Sequence, residues 1–322
     1  MIKEFLIVFL SIFILSICEF ITYDGKNLIS LSYSVNTNYN AKTVVSMDNF
    51  NEEMISYYSW FASYSYCKVD TIPYSCCKND YDFFNVEWQI LSQSALDNYY
   101  NYNYVLWRND KYKKYIMAFP GTRNIITELV SEIVNSKLVN YNEEEDNGIK
   151  VVSYFKNVAF ELINTIFTQN ILDDIKDHPT YQFISIGHSL GASVASLVLY
   201  EAVNKDYIDT KLNDPVLIAF GMPRTGNENF VLDFTSKIKN IFRVVMDGDI
   251  VVDIPYSPIN NPYRHLGGLI LINKDRNSMN YCPKDIGEDY PDKECEKSKS
   301  INYNYHLYYF NPDTMLGKRC VY

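Results

Sequence analysis

One short turn constrains the fold of this chain more than any other feature. Residues 181–200 read YQFISIGHSLGASVASLVLY: an apolar run with strand character enters the segment 187–191, and a run of small residues with helical character leaves it. In a Gly-x-Ser-x-Gly turn between a strand and a helix, the serine hydroxyl stands above the sheet edge, and the flanking glycine positions stay small because strand and helix pass closely. The sequence therefore predicts that Ser189 is a nucleophile; the alternative is a plain glycine turn.

Strand and helix patterns alternate around this turn, which favours a single α/β domain with a mostly parallel central sheet flanked by helices. Amphipathic helices are predicted over residues 48–66 and 151–177. Apolar runs predict strands that end in Gly- or Asp-rich loops, at residues 115–119, 183–186, 216–220 and 241–246. In a parallel sheet the carboxyl ends of such strands share one edge, where ligands and catalytic groups gather.

The N-terminus has the pattern of a secretory signal peptide. A short basic start precedes a continuous apolar run over residues 5–17, which is too short to span a bilayer comfortably, and Ser16 and Cys18 are small residues suited to cleavage after Cys18. The expected organisation is a signal peptide over 1–18, an extension over 19–47 and one domain over 48–322. The mature protein is expected to lack a stable transmembrane segment and to be secreted, or to enter the lumen of the secretory or endolysosomal pathway.

Charge and cysteine usage exclude several classes of protein. The formal net charge is −10, and no basic stripe offsets it, so nucleic acid is not an expected partner. Of the seven cysteines, the six that follow Cys18 indicate disulfides in an exported chain. They lack the paired Cys-x2-Cys spacing and the nearby histidine of a zinc site, so neither a metal nor another cofactor is expected.

A serine nucleophile needs a base to accept its proton and a carboxylate to orient that base. In enzymes that carry the nucleophile on such a strand-to-helix turn, the carboxylate follows the serine in the chain and the histidine comes last. Three aspartates satisfy that order at the end of a predicted strand: Asp247, Asp249 and Asp253. Chain order alone does not choose among them.

Four histidines are available as the base. His178 precedes the strand that leads into the turn and so lies at the far edge of the sheet. The side chain of His188 points away from that of its neighbour Ser189 and is expected to pack beneath the turn. His265 and His306 remain; both follow the candidate acids, and their order in the chain does not separate them.

Five motifs in order along the chain resemble those of the fungal-type (class 3) lipases. They read AFPGT, ISIGHSLGAS, AFGMPRTGN, RVVMDGDIVVDIP and a terminal HLYYF followed by a cysteine. The resemblance covers about residues 50–320. It implies the α/β-hydrolase fold and a secreted serine carboxyl-ester hydrolase, first of all a triacylglycerol lipase. A phospholipase A1 or a phenolic (feruloyl-type) esterase would use the same site. The other two hypotheses are a non-catalytic lipid-binding relative and a protease.

The resemblance also selects the partners of Ser189. It implies Asp249 as the acid and His306 as the base, whereas it places His265 at a position that is usually structural. Two departures from the family pattern occur here. Val252 stands where proline is usual, and Tyr305 replaces the aspartate that usually precedes the catalytic histidine.

An oxyanion forms during acyl transfer and needs preorganised donors. One expected donor is the backbone N–H of Leu190, the residue after the nucleophile. By resemblance, the second comes from Thr122 in FPGT. Pro120 replaces the arginine that is usual in that motif, and proline has no N–H to donate.

A short amphipathic helix follows this motif, and the resemblance implies that it is a lid over about residues 124–137. Five apolar residues form its stripe: Ile125, Ile126, Leu129, Val130 and Ile133. The alternative is a surface helix packed on the core. An opened lid would meet a lipid interface. Because an acidic run follows at residues 143–146, neutral glycerides are favoured over strongly anionic membranes.

The family further implies two disulfides. Cys67 would pair with Cys320 and hold the C-terminal segment near His306, and Cys282 would pair with Cys295. The adjacent residues Cys76 and Cys77 are left without an assigned pairing.

Overall fold

The computed structural model describes residues 51–66, 88–94, 102–122, 131, 133–144, 147–256, 262–276, 278–282 and 304–310. The predicted signal peptide, the extension and most of the predicted lid lie outside the described residues, so the predicted boundaries at 18 and 47 stay predictions. In the part of the chain that the structure describes, no helix is both long and apolar enough to cross a membrane.

A central sheet of eight strands organises the domain. Its spatial order is β1-β2-β3-β6-β7-β8-β9-β10, and the five inner strands from β3 to β9 pair in parallel, while β1, β2 and β10 join antiparallel. A separate pair, β4 and β5, is antiparallel. The ten strands are β1 Gln89–Gln93, β2 Val105–Asn109, β3 Lys114–Phe119, β4 Leu138–Asn140, β5 Lys150–Val152, β6 Gln182–His188, β7 Val216–Phe220, β8 Asn240–Met246, β9 Leu269–Ile272 and β10 Met279–Cys282.

Helices cover both faces of this sheet, which is why its inner strands are continuous apolar runs. Successive residues of β6 alternate between two cores: Phe183 packs in the cluster on one face, and Ile184 packs in the cluster on the other. The helices are α1 Glu52–Tyr64, α2 Ser153–Ile166, α3 Gln169–Asp177, α4 Leu190–Asn204, α5 Glu228–Lys237 and the short α6 Asn304–Leu307. The predicted α/β-hydrolase architecture and the four predicted strands are confirmed.

Two helices show how the sequence sets local structure near the site. Helix α1 begins at Asn51, whose side chain accepts the N–H of Met54 at 2.7 Å, an N-cap that satisfies an otherwise unpaired donor. Helix α4 is buried along its whole length from Leu190 to Val203, consistent with its small and apolar residues. It therefore runs through the core directly behind the turn at Ser189.

The prediction of one helix over 151–177 is wrong. Residues 150–152 form β5, which pairs with β4, and the helical region is divided into α2 and α3. The division lies at Phe167 (φ −91°, ψ 59°) and at Thr168, whose backbone is extended. Apolar periodicity continues across this break because both helices bury the same side, so the sequence pattern alone did not reveal it.

Candidate active site

The turn at Ser189 joins the last residue of β6 to the first residue of α4. Ser189 has φ 59° and ψ −130°, a strained conformation for a residue with a side chain. A Cβ atom on Gly187 would lie 2.3 Å from the carbonyl oxygen of Gly191, and one on Gly191 would lie 2.3 Å from that of Pro120. The two glycines are required because backbone passes backbone at this point, as a nucleophile-bearing turn demands.

Asp249 and His306 meet in a fully buried contact. Nδ1 of His306 lies 2.9 Å from Oδ2 and 3.1 Å from Oδ1 of Asp249. Since an ionised carboxylate only accepts hydrogen bonds, Nδ1 carries a hydrogen, and in the neutral ring the lone pair is therefore on Nε2. Asp249 follows β8, and His306 lies on α6, so the tertiary fold brings together residues that are 57 positions apart in the chain.

Three hydrogen bonds hold Asp249 in its charged form. Besides His306, the hydroxyl of Tyr309 donates to Oδ2 at 2.9 Å, and the N–H of Val251 donates to Oδ1 at 2.9 Å. Burial by itself would raise the pKa of Asp249, but the charge interaction with His306 and these hydrogen bonds outweigh burial, so the pKa is lowered from its usual value. The carboxylate of Asp249 is therefore held in its ionised form beside Nδ1 of His306.

Two buried polar atoms of the site have no hydrogen-bond partner among the described residues. They are Oγ of Ser189 and Nε2 of His306, and their side chains are 2% and 0% exposed. Unpaired buried polar atoms are costly and uncommon in folded proteins. A hydroxyl and a basic nitrogen left in this way are a donor and an acceptor available for proton transfer to a reacting group.

The loop after β3 runs directly against Ser189; we call residues 120–122 the oxyanion loop, after the donor predicted at Thr122. A Cβ atom on Gly121 would lie 2.8 Å from Cβ of Ser189. Thr122 follows at once and is half-buried. Leu190 is the first residue of α4, where the backbone N–H has no partner within the helix. Both predicted donors therefore belong to segments that flank Ser189.

The rival acids occupy other positions. Asp253 is partly exposed and lies 3.9 Å from Arg224, while the N–H of Asp247 bonds to the carbonyl of Ile272 in β9. Among the rival bases, His178 directly follows α3 and contacts Asp174, far from the carboxyl ends of the strands. His265 lies shortly before β9. The preceding residue, Arg264, forms an isolated backbone β-bridge with Gly226.

No role of Arg224 was predicted from the sequence, although this residue lies in the motif GMPRTGN. We call residues 247–256 the acid loop. The N–H of Arg224 donates to the carbonyl of Ile254 at 2.8 Å, and its guanidinium donates to the carbonyl of Asp253 and, at 3.4 Å, to that of Pro255. Arg224 thereby holds the acid loop in place. Tyr309 was also missed; it lies in the terminal HLYYF motif but beyond the end of α6, so no helical spacing indicates its bond to Asp249.

The lid, disulfide and metal predictions are only partly covered by the described residues. Ile133 is buried in the core cluster and Val134 is exposed, while the other four predicted lid residues lie outside the described residues. Cys282 is disulfide-bonded, but Cys67, Cys295 and Cys320 lie outside the described residues, so the predicted pairings stay predictions. Within the described ranges, no group of three His, Cys, Asp or Glu side chains could hold a metal ion.

Comparison with known proteins adds independent evidence. Residues 116–258 match the family model described as lipase (class 3), a range that includes the oxyanion loop, Ser189 and Asp249. A lipase of Rhizopus niveus is 26% identical over 280 residues, 84% of this chain and 66% of the relative, so the chain spans just under two thirds of that protein. A secreted mono- and diacylglycerol lipase of Malassezia restricta is 30% identical over 164 residues, 49% of this chain and 51% of the relative.

The solved structure of a triacylglyceride lipase from Rhizomucor miehei superposes with a TM-score of 0.69 at 22% identity. The match covers 83% of this chain and 96% of that one. At this level of identity, the likeness establishes the common fold of the two proteins.

Proposed function

We infer from the membership of residues 116–258 in the class 3 lipase family that this chain is a serine hydrolase of carboxylic esters. The observation that carries the proposal is the buried Asp249–His306 pair, which engages Nδ1 of His306 and leaves Nε2 without a hydrogen-bond partner, together with the hydroxyl of Ser189, which also has none among the described residues. Both Ser189 and Asp249 follow parallel strands at the sheet edge where catalytic groups of such folds gather.

The geometry supports an acyl-enzyme mechanism. Nε2 of His306 accepts the proton of Ser189 as Oγ attacks the ester carbonyl carbon, and the ionised Asp249 stabilises the resulting imidazolium. The N–H groups of Leu190 and Thr122 would receive the oxyanion. His306 then gives its proton to the departing alkoxide, and the acyl-enzyme remains. Water repeats the same steps and releases the carboxylic acid.

Neutral glycerides are the substrate class that we propose. The relatives named above are a lipase and a mono- and diacylglycerol lipase, and the structural neighbour is a triacylglyceride lipase. Apolar side chains are exposed on the acid loop itself, where Ile250 directly follows Asp249 and Tyr256 is 63% exposed. Apolar surface beside the site favours acyl chains and a lipid interface over charged substrates.

Secretion forms part of the proposal. The Malassezia relative is named as a secreted lipase. Residues 1–18 have the pattern of a signal peptide, and Cys282 is disulfide-bonded, as is common in exported proteins.

The test compares the wild-type protein with Ser189→Ala on p-nitrophenyl butyrate and on emulsified trioctanoin. Wild type should hydrolyse both, and Ser189→Ala should lose activity by a factor of about 10³ or more, because the nucleophile is absent. The matched control, Ser236→Ala, changes an exposed serine on α5 and should retain full activity. Folded wild-type protein that hydrolyses neither ester would contradict the proposal. Hydrolysis of phosphatidylcholine or of methyl ferulate in preference to the glyceride would contradict the substrate class alone.

A further inference from the structure

A second histidine is buried beside the base and takes no part in the proposed proton transfers. His188, the residue before Ser189, is 2% exposed. Its ring stacks on that of His306 with 4.8 Å between the ring centroids and 26° between the ring planes. The side chain therefore lies against the base instead of filling an unrelated part of the core.

Both ring nitrogens of His188 have defined partners. Nε2 lies 2.9 Å from the backbone carbonyl oxygen of His306, and Nδ1 lies 2.6 Å from the hydroxyl oxygen of Tyr66. A carbonyl oxygen only accepts, so Nε2 carries the hydrogen, and Nδ1 accepts the hydroxyl hydrogen of Tyr66. Burial, with the nearby charge of His306 adding to it, lowers the pKa of His188 to about 3, so the ring stays neutral. Tyr66 thus fixes the tautomer that donates to His306.

The hydroxyl of Tyr66 also contacts the oxyanion loop. A Cβ atom on Gly121 would lie 2.4 Å from this oxygen, so loop and hydroxyl are in direct contact. Tyr66 follows the C-terminal end of α1. One short series of contacts therefore runs from the oxyanion loop through Tyr66 and His188 to the backbone of His306.

The base is carried by a short element. Helix α6 has only four residues, 304–307, and so has little hydrogen bonding of its own to fix its orientation. His188 supplies that restraint, because its Nε2 donates a hydrogen bond to the backbone carbonyl of His306. Misplacement of a reacting group by about 1 Å can cost on the order of a hundredfold in rate.

We propose that His188, held in one tautomer by Tyr66, is a positioning residue that orients Nε2 of His306 toward Ser189. This inference rests on the proposed function, since it assigns His188 a part in the same proton transfer. A purely structural His188 would contribute to stability and leave the direction of Nε2 unaffected.

Two substitutions separate the two hydrogen bonds of His188. In His188→Gln the amide nitrogen takes the place of Nε2 and still donates to the His306 carbonyl. In His188→Asn the amide oxygen takes the place of Nδ1, and only the bond from Tyr66 is kept. We expect His188→Asn to lower kcat on p-nitrophenyl butyrate by about 10- to 100-fold with KM within about twofold. His188→Gln should stay within about fivefold of wild type, and His178→Asn, at the far end of the sheet, is the matched control that should not change kcat.

A readout that needs no substrate distinguishes failure of this proposal from failure of the proposed function. The proton between Nδ1 of His306 and Asp249 gives a far-downfield imidazole resonance in the ¹H NMR spectrum. It should shift or broaden in His188→Asn and be retained in His188→Gln. If kcat and this resonance are the same in both variants and in wild type, the positioning role is wrong. If Ser189→Ala keeps full activity, the proposed function is wrong, and the resonance still decides the positioning role.

A second variant covers the case in which His188→Asn does not fold. Tyr66→Phe removes the hydroxyl that bonds to Nδ1 of His188 and touches the oxyanion loop. The proton of His188 can then move from Nε2 to Nδ1, which leaves a lone pair of Nε2 facing the carbonyl of His306. We expect kcat to fall severalfold with KM unchanged. A kcat within twofold of wild type would overturn the proposal.

Discussion

At Ser189 the backbone holds φ 59° and ψ −130°, and the surrounding packing must stabilise this conformation. The same contacts that impose the strain also direct the hydroxyl out of the sheet. The glycines on either side and the oxyanion loop leave no room for relaxation, because a Cβ atom at each would lie within 3 Å of other backbone or of Ser189 itself. The strained backbone of Ser189 is therefore part of what places its hydroxyl at the sheet edge.

The choice of base gives a prediction at the same scale. Because Nδ1 of His306 contacts Asp249 at 2.9 Å, His306→Ala should lower kcat on p-nitrophenyl butyrate by about 10³-fold or more. His265→Ala should retain kcat within about fivefold, since that residue precedes β9 and lies in the segment paired with Gly226. An inactive His265→Ala together with an active His306→Ala would contradict the assignment.

What the sequence predicted at this scale depends on whether a residue's role is visible in a local pattern. Ser189 lies in a five-residue pattern with a mechanical cause, and Asp249 and His306 lie in motifs that resemble a known family. The hydroxyl of Tyr66 donates to Nδ1 of His188, and the guanidinium of Arg224 donates to a backbone carbonyl of the acid loop; in both cases the partner lies far away in the chain. No local pattern records such a contact, so only the tertiary structure reveals it.

At the scale of elements, the buried strands were predicted well and one helical segment was not. Strands β3, β6, β7 and β8 are apolar on both faces, so their sequence runs are continuous and distinct. The prediction of one helix over residues 151–177 was wrong at its start because Val151 pairs with Val139 in β4, a tertiary contact that overrides local helical periodicity.

The acid loop depends on a neighbouring element for its shape, which leads to a second prediction. Arg224, 4% exposed, donates from its guanidinium to two backbone carbonyls of this loop, those of Asp253 and Pro255. Arg224→Met should lower the free energy of unfolding by about 2–3 kcal/mol, because buried carbonyls lose a charged donor. It should also lower kcat more than KM changes, since Asp249 belongs to the loop. Denaturant unfolding and ester hydrolysis measure the two effects.

Lys211→Met, which changes an exposed cation, is the control for Arg224→Met and should leave both quantities unchanged. If Arg224→Met matched this control in stability and in kcat, the loop would not need the guanidinium.

For the molecule as a whole, one buried cation makes stability depend on pH. Lys114, at the start of β3, is 1% exposed, and its Nζ lies 3.0 Å from the hydroxyl of Tyr58. Burial lowers the pKa of Lys114 to about 7, whereas an unfolded lysine titrates near 10.4. Between those values the unfolded chain binds more protons than the folded one, so this residue makes stability rise with pH over that interval.

Lys114→Met should therefore stabilise the protein most near pH 6.5, and the advantage should shrink as the pH approaches 10. We expect a gain on the order of 1–3 kcal/mol at the lower pH, reduced by the lost bond to Tyr58. Urea unfolding of both proteins across this range measures the difference. The exposed Lys176→Met on α3 serves as control, and a Lys114→Met advantage that does not vary with pH would contradict the interpretation.

Gly221, directly after β7, limits which amino-acid substitutions this protein can tolerate near the site. Its φ is +58°, and a Cβ atom there would lie 2.9 Å from Nδ1 of His306 and 2.7 Å from the hydroxyl of Tyr309. Any side chain at this position would push the ring away from Asp249. In a saturation library, clones with a substitution at Gly221 should be depleted as strongly as those at Ser189, although the glycine itself exchanges no proton. Substitutions that change the range of substrates are expected instead at positions such as Ile250 and Tyr256, whose side chains are exposed on the acid loop.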